Sequence, residues 1–258
     1  MLTTVAMLMS LSASPSLHAA TTGGEVDVEL ALAVDVSRSM DYEEVRIQRE
    51  GYVTALSHPE FINAVRGGLL GRIAISYYEW AGEVDPASVI DWQIIETEQD
   101  AQAFAAKLEA RPIATQRRTS ISAAISYGAT SIIANSYRGM RQVIDVSGDG
   151  PNNIGVPVQP VRDKAVEAGI VINGLAIMLR PSGTSGGLDR YYSDCVAGGP
   201  GSFVLPVHEI EDFAIAVRRK LVMEVSNAAP VPTIHRIAAE PKSDCMAGER
   251  QWQEFQDR

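Results

Sequence analysis

Five residues carry hard oxygen donors at positions that suggest a single site. Asp35, Ser37 and Ser39 directly follow an apolar run in LALAVDVSRSM, residues 30–40. Thr119 precedes the Ala- and Ile-rich stretch 120–134, and Asp149 lies in DVSGDGPNN after a second apolar run. Two carboxylates and three hydroxyls, with no histidine or cysteine among them, select a hard cation, Mg²⁺, Mn²⁺ or Ca²⁺, over zinc or copper. Two carboxylates neutralise a divalent ion. The hydroxyls donate weakly, so the ion keeps enough Lewis acidity to accept an incoming carboxylate. The plainer alternative is that these are capping and turn residues. D-x-S-x-S alone arises by chance on the order of one time in ten in a chain of this size. Its context gives it weight.

That context is an alternation of short β-rich runs with longer amphipathic segments. Strands are expected at 26–34, 72–80, 88–95, 141–146, 170–178 and 202–207. Helices are expected at 42–57, 59–66, 98–110, 120–134, 158–168, 188–196 and 209–225. Only a short Gly/Asp/Pro turn separates the second and third strands, so they should pair antiparallel; the other crossovers are long enough for parallel pairing. The fold expected is a doubly wound α/β sheet, mostly parallel, with one antiparallel edge strand and helices on both faces. Such sheets bind ligands beyond the carboxyl ends of their strands, where Asp35 and Asp149 fall. Asp145 is a rival to Asp149, but it lies inside its strand.

With these residues in view, the chain resembles a von Willebrand factor A-type (vWA) domain, and more closely an exported bacterial branch of vWA-like proteins of unknown function. The resemblance covers residues 25–225. In that family the metal-ion-dependent adhesion site (MIDAS) is D-x-S-x-S after the first strand, a Thr in a second loop and an Asp after the fourth strand. Asp35, Ser37, Ser39, Thr119 and Asp149 match these residue by residue. The departure is Gly148, where the family usually has a hydroxyl or small apolar residue. The resemblance implies direct metal contact from Ser37, Ser39 and Thr119, aspartates acting partly through bound waters, and one coordination position open to a ligand carboxylate.

The chain has 258 residues, 46% hydrophobic and 21% charged, with net charge −10 and pI about 4.9. An acidic surface without a basic stripe argues against nucleic acid as a partner. Residues 1–20 carry no charged side chain and end in small residues at His18-Ala19-Ala20. They resemble a secretory signal peptide lacking its basic start, which implies a periplasmic or secreted protein. No later apolar run is long enough for a transmembrane segment. Cys195 and Cys245 are the only cysteines; one disulfide and two unrelated thiols are both open readings. Prolines interrupt the stretch after residue 226, so 226–258 is read as an extended tail.

Other chemistry is weakly supported. A nucleophilic serine needs a placed histidine and an acid, and nothing in the sequence ties either to Ser185 in GTSGG; a loop is the simpler reading. An aspartyl phosphoryl-transfer enzyme would show a second acid where Ser37 stands. Phosphate-cradling glycine motifs are missing from the sequence. Asn152 and Asn153 are either rim residues of the site or ordinary turn residues. Arg38 and Arg118, next to the proposed ligands, would favour an acidic partner. The function expected is therefore metal-dependent binding of a protein or other ligand through a carboxylate, without catalysis. The alternatives are a metal-assisted hydrolase on the same oxygens and a structural domain whose site is vestigial.

Overall fold

The computed structural model describes residues 23–181, 184, 186–226 and 242–257. The segment 1–20, Ser185 and the first part of the tail lie outside the described residues. Six strands form one sheet in the order β3-β2-β1-β4-β5-β6. They are β1 (Glu25–Asp35), β2 (Ile73–Trp80), β3 (Ile90–Ile95), β4 (Arg138–Gly148), β5 (Ile170–Ile177) and β6 (Val204–Val207). All neighbouring pairs are parallel except β2 with β3, the antiparallel edge pair expected from their short connection. The order reverses at β1, whose neighbours are β2 on one side and β4 on the other. The carboxyl ends of β1 and β4 thus frame the crevice where doubly wound sheets place ligands.

Residues 26–35 of β1 are buried without a break, because helices cover both faces of this central strand. Its side chains divide with period two. Val28, Leu30, Leu32 and Val34 join a core with Tyr52, Phe61, Phe104, Phe213 and Leu221. These partners come from α1 (Tyr42–Leu56), α2 (Pro59–Arg66), α3 (Glu98–Glu109) and α7 (Phe213–Ser226). Ala31 and Ala33 face the other core, with Tyr78, Trp80, Ile121, Ile125, Tyr191 and Tyr192. Small alanines here let α4 (Ile121–Ala134) approach the sheet closely; α5 (Val158–Glu167) and α6 (Leu188–Tyr191) complete this layer. The chain continues from α6 through a π-helical turn, Tyr192–Val196.

Several expectations shift in detail. β4 starts at Arg138 rather than 141, because its first residues pair with Glu25 and Val26 of β1 through the backbone. No alternation of side chains advertises that extension. The final helix of the domain opens as a 3₁₀ turn, Ile210–Asp212, before α7. The reading of 226–258 as an extended tail is corrected at its end: Ala247–Gln256 form a helix, α8. The last proline is Pro241, so nothing breaks a helix beyond it. Cys245 is bonded to Cys195, which resolves the two open readings in favour of the disulfide. Among the described residues no helix is long and apolar enough to cross a membrane.

Candidate metal centre

The site assembles from the ends of β1 and β4 and the loop entering α4. β1 ends on Asp35, whose parity with Ala31 and Ala33 turns it toward the α4 layer. Asp35 Oδ1 accepts from the Ser37 backbone N–H at 2.7 Å, which folds the chain sharply after the strand. Ser37 Oγ lies 2.8 Å from Ser39 Oγ, and Ser39 Oγ donates to Asp149 Oδ1 at 2.6 Å. Four of the five sequence-predicted residues are therefore linked in one chain of polar contacts. Thr119 is tied by its backbone to Asn153, in the loop after Asp149. Its N–H donates to Asn153 Oδ1 at 2.9 Å, and its carbonyl accepts from Asn153 N–H at 2.8 Å. Its loop is also bridged to Ser37 at Gln116. Asp35, Ser37 and Thr119 are buried, whereas Ser39 is exposed and Asp149 half-buried.

The electrostatics of this cluster are unfavourable for the protein alone. Burial, with the neighbouring Asp149 carboxylate adding to it, pushes the Asp35 carboxyl well above the usual range. Burial likewise raises Asp149. Asp35 Oδ2 is buried with no hydrogen-bond partner. Two crowded carboxylates, one with an orphaned oxygen, surrounded by hydroxyls, fit a hard cation by donor type. Among the described residues no group of three or more His, Cys, Asp or Glu side chains could hold a metal, so the hydroxyls are indispensable to any such site.

Asp145 is ion-paired with buried Lys220 of α7, which also bonds Glu224 at 2.6 Å. It shares the parity of Val143 and so faces the core beneath α1 and α7, not the α4 layer that Asp35 faces. Asn152 and Asn153 prove to be ties between loops. Asn152 Oδ1 accepts from Ser122 N–H at 3.1 Å, near the start of α4, while Asn153 holds Thr119. Gln48 of α1 donates to the Asp35 carbonyl at 2.8 Å.

Three features were not read from the sequence. Arg180 donates to the Ser39 carbonyl at 2.6 Å and pairs with Asp41 and Glu44, placing a cation at the rim. Tyr192, fully buried, brings its hydroxyl against Gly148 and Asp35. Helix α8 docks on the loops of the site: Glu249 accepts from Asn152 Nδ2 at 2.7 Å, and the Arg118 guanidinium lies 3.4 Å from the centre of the Trp252 ring. Arg38 is exposed, whereas Arg118 is engaged with α8. The partners of these residues are distant in sequence, so no local pattern announces them. The nearest signal was the glycine at 148, which departs from the family pattern.

Comparisons with known proteins agree with this architecture. Proximal thread matrix protein 1 (PTMP1) from the mussel byssus, in a structure with a zinc-occupied MIDAS motif, is similar at 13% identity and a TM-score of 0.59. The match covers 79% of this chain and 49% of that one. The pilus adhesin SpaC from Lactobacillus rhamnosus GG matches at 13% identity and a TM-score of 0.59, over 78% of this chain and 31% of that one. BatB from Bacteroides thetaiotaomicron, a conserved hypothetical protein, matches at 18% identity and a TM-score of 0.51, over 78% of this chain and all of that one. This chain thus spans about half of PTMP1 and a third of SpaC. At these identities the likeness establishes the fold, which is that of a vWA domain. No curated protein matches the chain. A family model covers residues 25–229, from the first residue of β1 to just past α7, and the chain belongs to that family, described as "Protein of unknown function (DUF1194)".

Proposed function

We propose that this protein is a non-catalytic, divalent-metal-dependent binding module. In this reading Asp35, Ser37, Ser39, Thr119 and Asp149 hold Mg²⁺, or Mn²⁺ or Ca²⁺ in its place, and a protein or other ligand presents a carboxylate to the ion. The observation that carries it is Asp35, a buried carboxylate with one unpartnered oxygen in a cluster made of hydroxyls and a second carboxylate. A bound cation would supply a positive centre of moderate Lewis acidity. The protein's own part is to hold the oxygens in register. Gln48 fixes the end of β1, Asn153 fixes Thr119, and Arg180 fixes the Ser39 carbonyl. The zinc-occupied MIDAS motif in PTMP1 supports a cation in this fold, although an all-oxygen set favours a harder ion.

Binding rather than hydrolysis is supported by the groups bonded to the cluster, which are amides, hydroxyls and a guanidinium. His58 is engaged elsewhere, accepting from Glu60 N–H and meeting Arg218. We place the protein outside the cytoplasm, in the periplasm or secreted, with 1–20 as its signal peptide, 25–225 as the binding domain and a tail returning to it. The Cys195–Cys245 disulfide supports an oxidising compartment.

Thermal unfolding with and without metal tests the site. Binding to the native state alone adds about 2.7 kcal/mol at a hundredfold excess over Kd. Saturating Mg²⁺ or Mn²⁺ should raise Tm, and Asp35→Ala should abolish the rise while leaving the protein folded. A melting curve that neither ion moves would sink the reading.

A further inference from the structure

The side chain absent at Gly148 has a structural counterpart. A Cβ built on Gly148 would lie 2.5 Å from Tyr192 Oη and 2.9 Å from Asp35 Oδ2. The phenol therefore approaches the very place where a residue with a side chain would begin. Both oxygens are buried, and neither has a hydrogen-bond partner in the protein. Unpartnered buried oxygens are uncommon, and each ordinarily costs about 1–3 kcal/mol unless something satisfies it. The two oxygens here are no more than about 5.4 Å apart, a separation that one small polar species beside the glycine can bridge.

The placement of Tyr192 is over-determined. It begins the π-helical turn after α6, and that turn also carries Cys195, bonded to Cys245. Its ring fills space that only glycine leaves free on the next strand, since a Cβ on Gly174 of β5 would sit 2.8 Å from Tyr192 Cδ1. Two glycines on adjacent strands thus make room for one phenol, Gly174 for its ring and Gly148 for its hydroxyl. The neighbouring Tyr191 points its hydroxyl instead at the Asn152 backbone N–H, 3.1 Å away. Tyr192 thus meets the end of β4, and Tyr191 the loop that follows it.

We propose that Tyr192 is a positioning residue of the metal site, its hydroxyl joined to Asp35 Oδ2 through a shared water and standing in for the side chain that position 148 lacks. A phenol can donate and accept at once, so it orients the carboxylate without adding charge. Outer-shell partners of this kind typically alter metal affinity 10- to 100-fold. The proposal rests on the metal reading given above.

Mn²⁺ titration followed by electron paramagnetic resonance tests it on the full oxidised chain. Tyr192→Phe removes one oxygen and keeps the ring, so the fold is retained; Mn²⁺ affinity should fall about tenfold. Gly148→Ser should also weaken binding, because its Cβ meets both the phenol and Asp35 Oδ2. Unchanged affinity in Tyr192→Phe would overturn the role of Tyr192. If wild type binds Mn²⁺ and Asp35→Ala does not, such a result leaves the metal site standing. Failure of wild type to bind Mn²⁺ would remove the site and this role together.

Discussion

Arg118 lies face-on to Trp252, its guanidinium carbon 3.4 Å from the ring centre, and so couples the residue before Thr119 to the C-terminal helix. Among the described residues Arg118 is the one non-glycine residue with positive φ, at 78°. Such a backbone costs roughly 1–3 kcal/mol and persists where surrounding contacts fix it. The stack on Trp252 is one of those contacts, and the Asn153 pairing of Thr119 is the next along the chain.

Trp252→Ala should lower stability by roughly 1–2 kcal/mol, the worth of a partly desolvated cation–π contact. Urea unfolding measures the loss. Hydrogen exchange at the Thr119 and Asn153 amides should speed up in the same variant, while amides in the middle of β1 keep their protection. Equal exchange at Thr119 in both proteins would show that the loop holds its shape without the helix.

Gly248→Ala tests the docking of α8 from its other end. A Cβ on Gly248 would fall well inside 3 Å of the Asn152 carbonyl oxygen, a backbone atom that cannot swing aside. The helix must lift. Trp252 emission should shift to longer wavelength while the far-ultraviolet dichroism of the α/β body stays unchanged. An unshifted spectrum would mean that the contact tolerates a methyl group.

The Cys195–Cys245 bond closes 50 residues of chain. In the chain-entropy account a loop of that length stabilises by about 4 kcal/mol relative to the open chain. Cys245→Ser, or wild type reduced by a dithiol, should therefore melt several degrees lower than the oxidised protein. Coincident melting curves would show that the tail unfolds independently of the domain.

Stability should fall as pH rises from about 4.5 to about 8. Burial, with Asp145 alongside, pushes the Glu224 carboxyl up to about 8, while Lys220 and Asn173 pull it the other way. Between its unperturbed value of 4.5 and about 8 the native chain holds a proton that the unfolded chain has lost. Each rise in pH through that window favours the unfolded state, and the loss levels off above it. Glu224→Gln should make this part of the profile shallower, leaving the share of the raised Asp35 and Asp149 carboxyls, read as the urea midpoint between pH 5 and 9. A slope unchanged by the substitution would assign the effect to other groups.

The legible part of the site was the part written next to a strand. Asp35, Ser37 and Ser39 announce themselves because an apolar run ends in alternating polar groups, and Asp149 because β4 runs out into Gly-Asp-Gly. Asp145 was separable from Asp149 because it lies inside β4, on the face that Val143 turns to the core, whereas Asp149 follows the end of the strand. What the sequence hid depends on distance along the chain. Nothing near Tyr192 says that its hydroxyl will meet a glycine on β4, and nothing near Trp252 says that Arg118 will lie against it. Prolines made the tail look structureless as a whole, although they stop at Pro241 and the helix forms after them.

The return of α8 has a practical side. Strand β1 runs 11 residues from Glu25 to Asp35, so its two ends stand about 35 Å apart. The candidate site is at the Asp35 end, and α8 rests on the loops there. A fluorophore or surface linkage placed on α8 would crowd the face where a partner must arrive, and could be mistaken for weak binding. The same attachment beside Glu25 sits at the opposite rim of the sheet and leaves that approach clear.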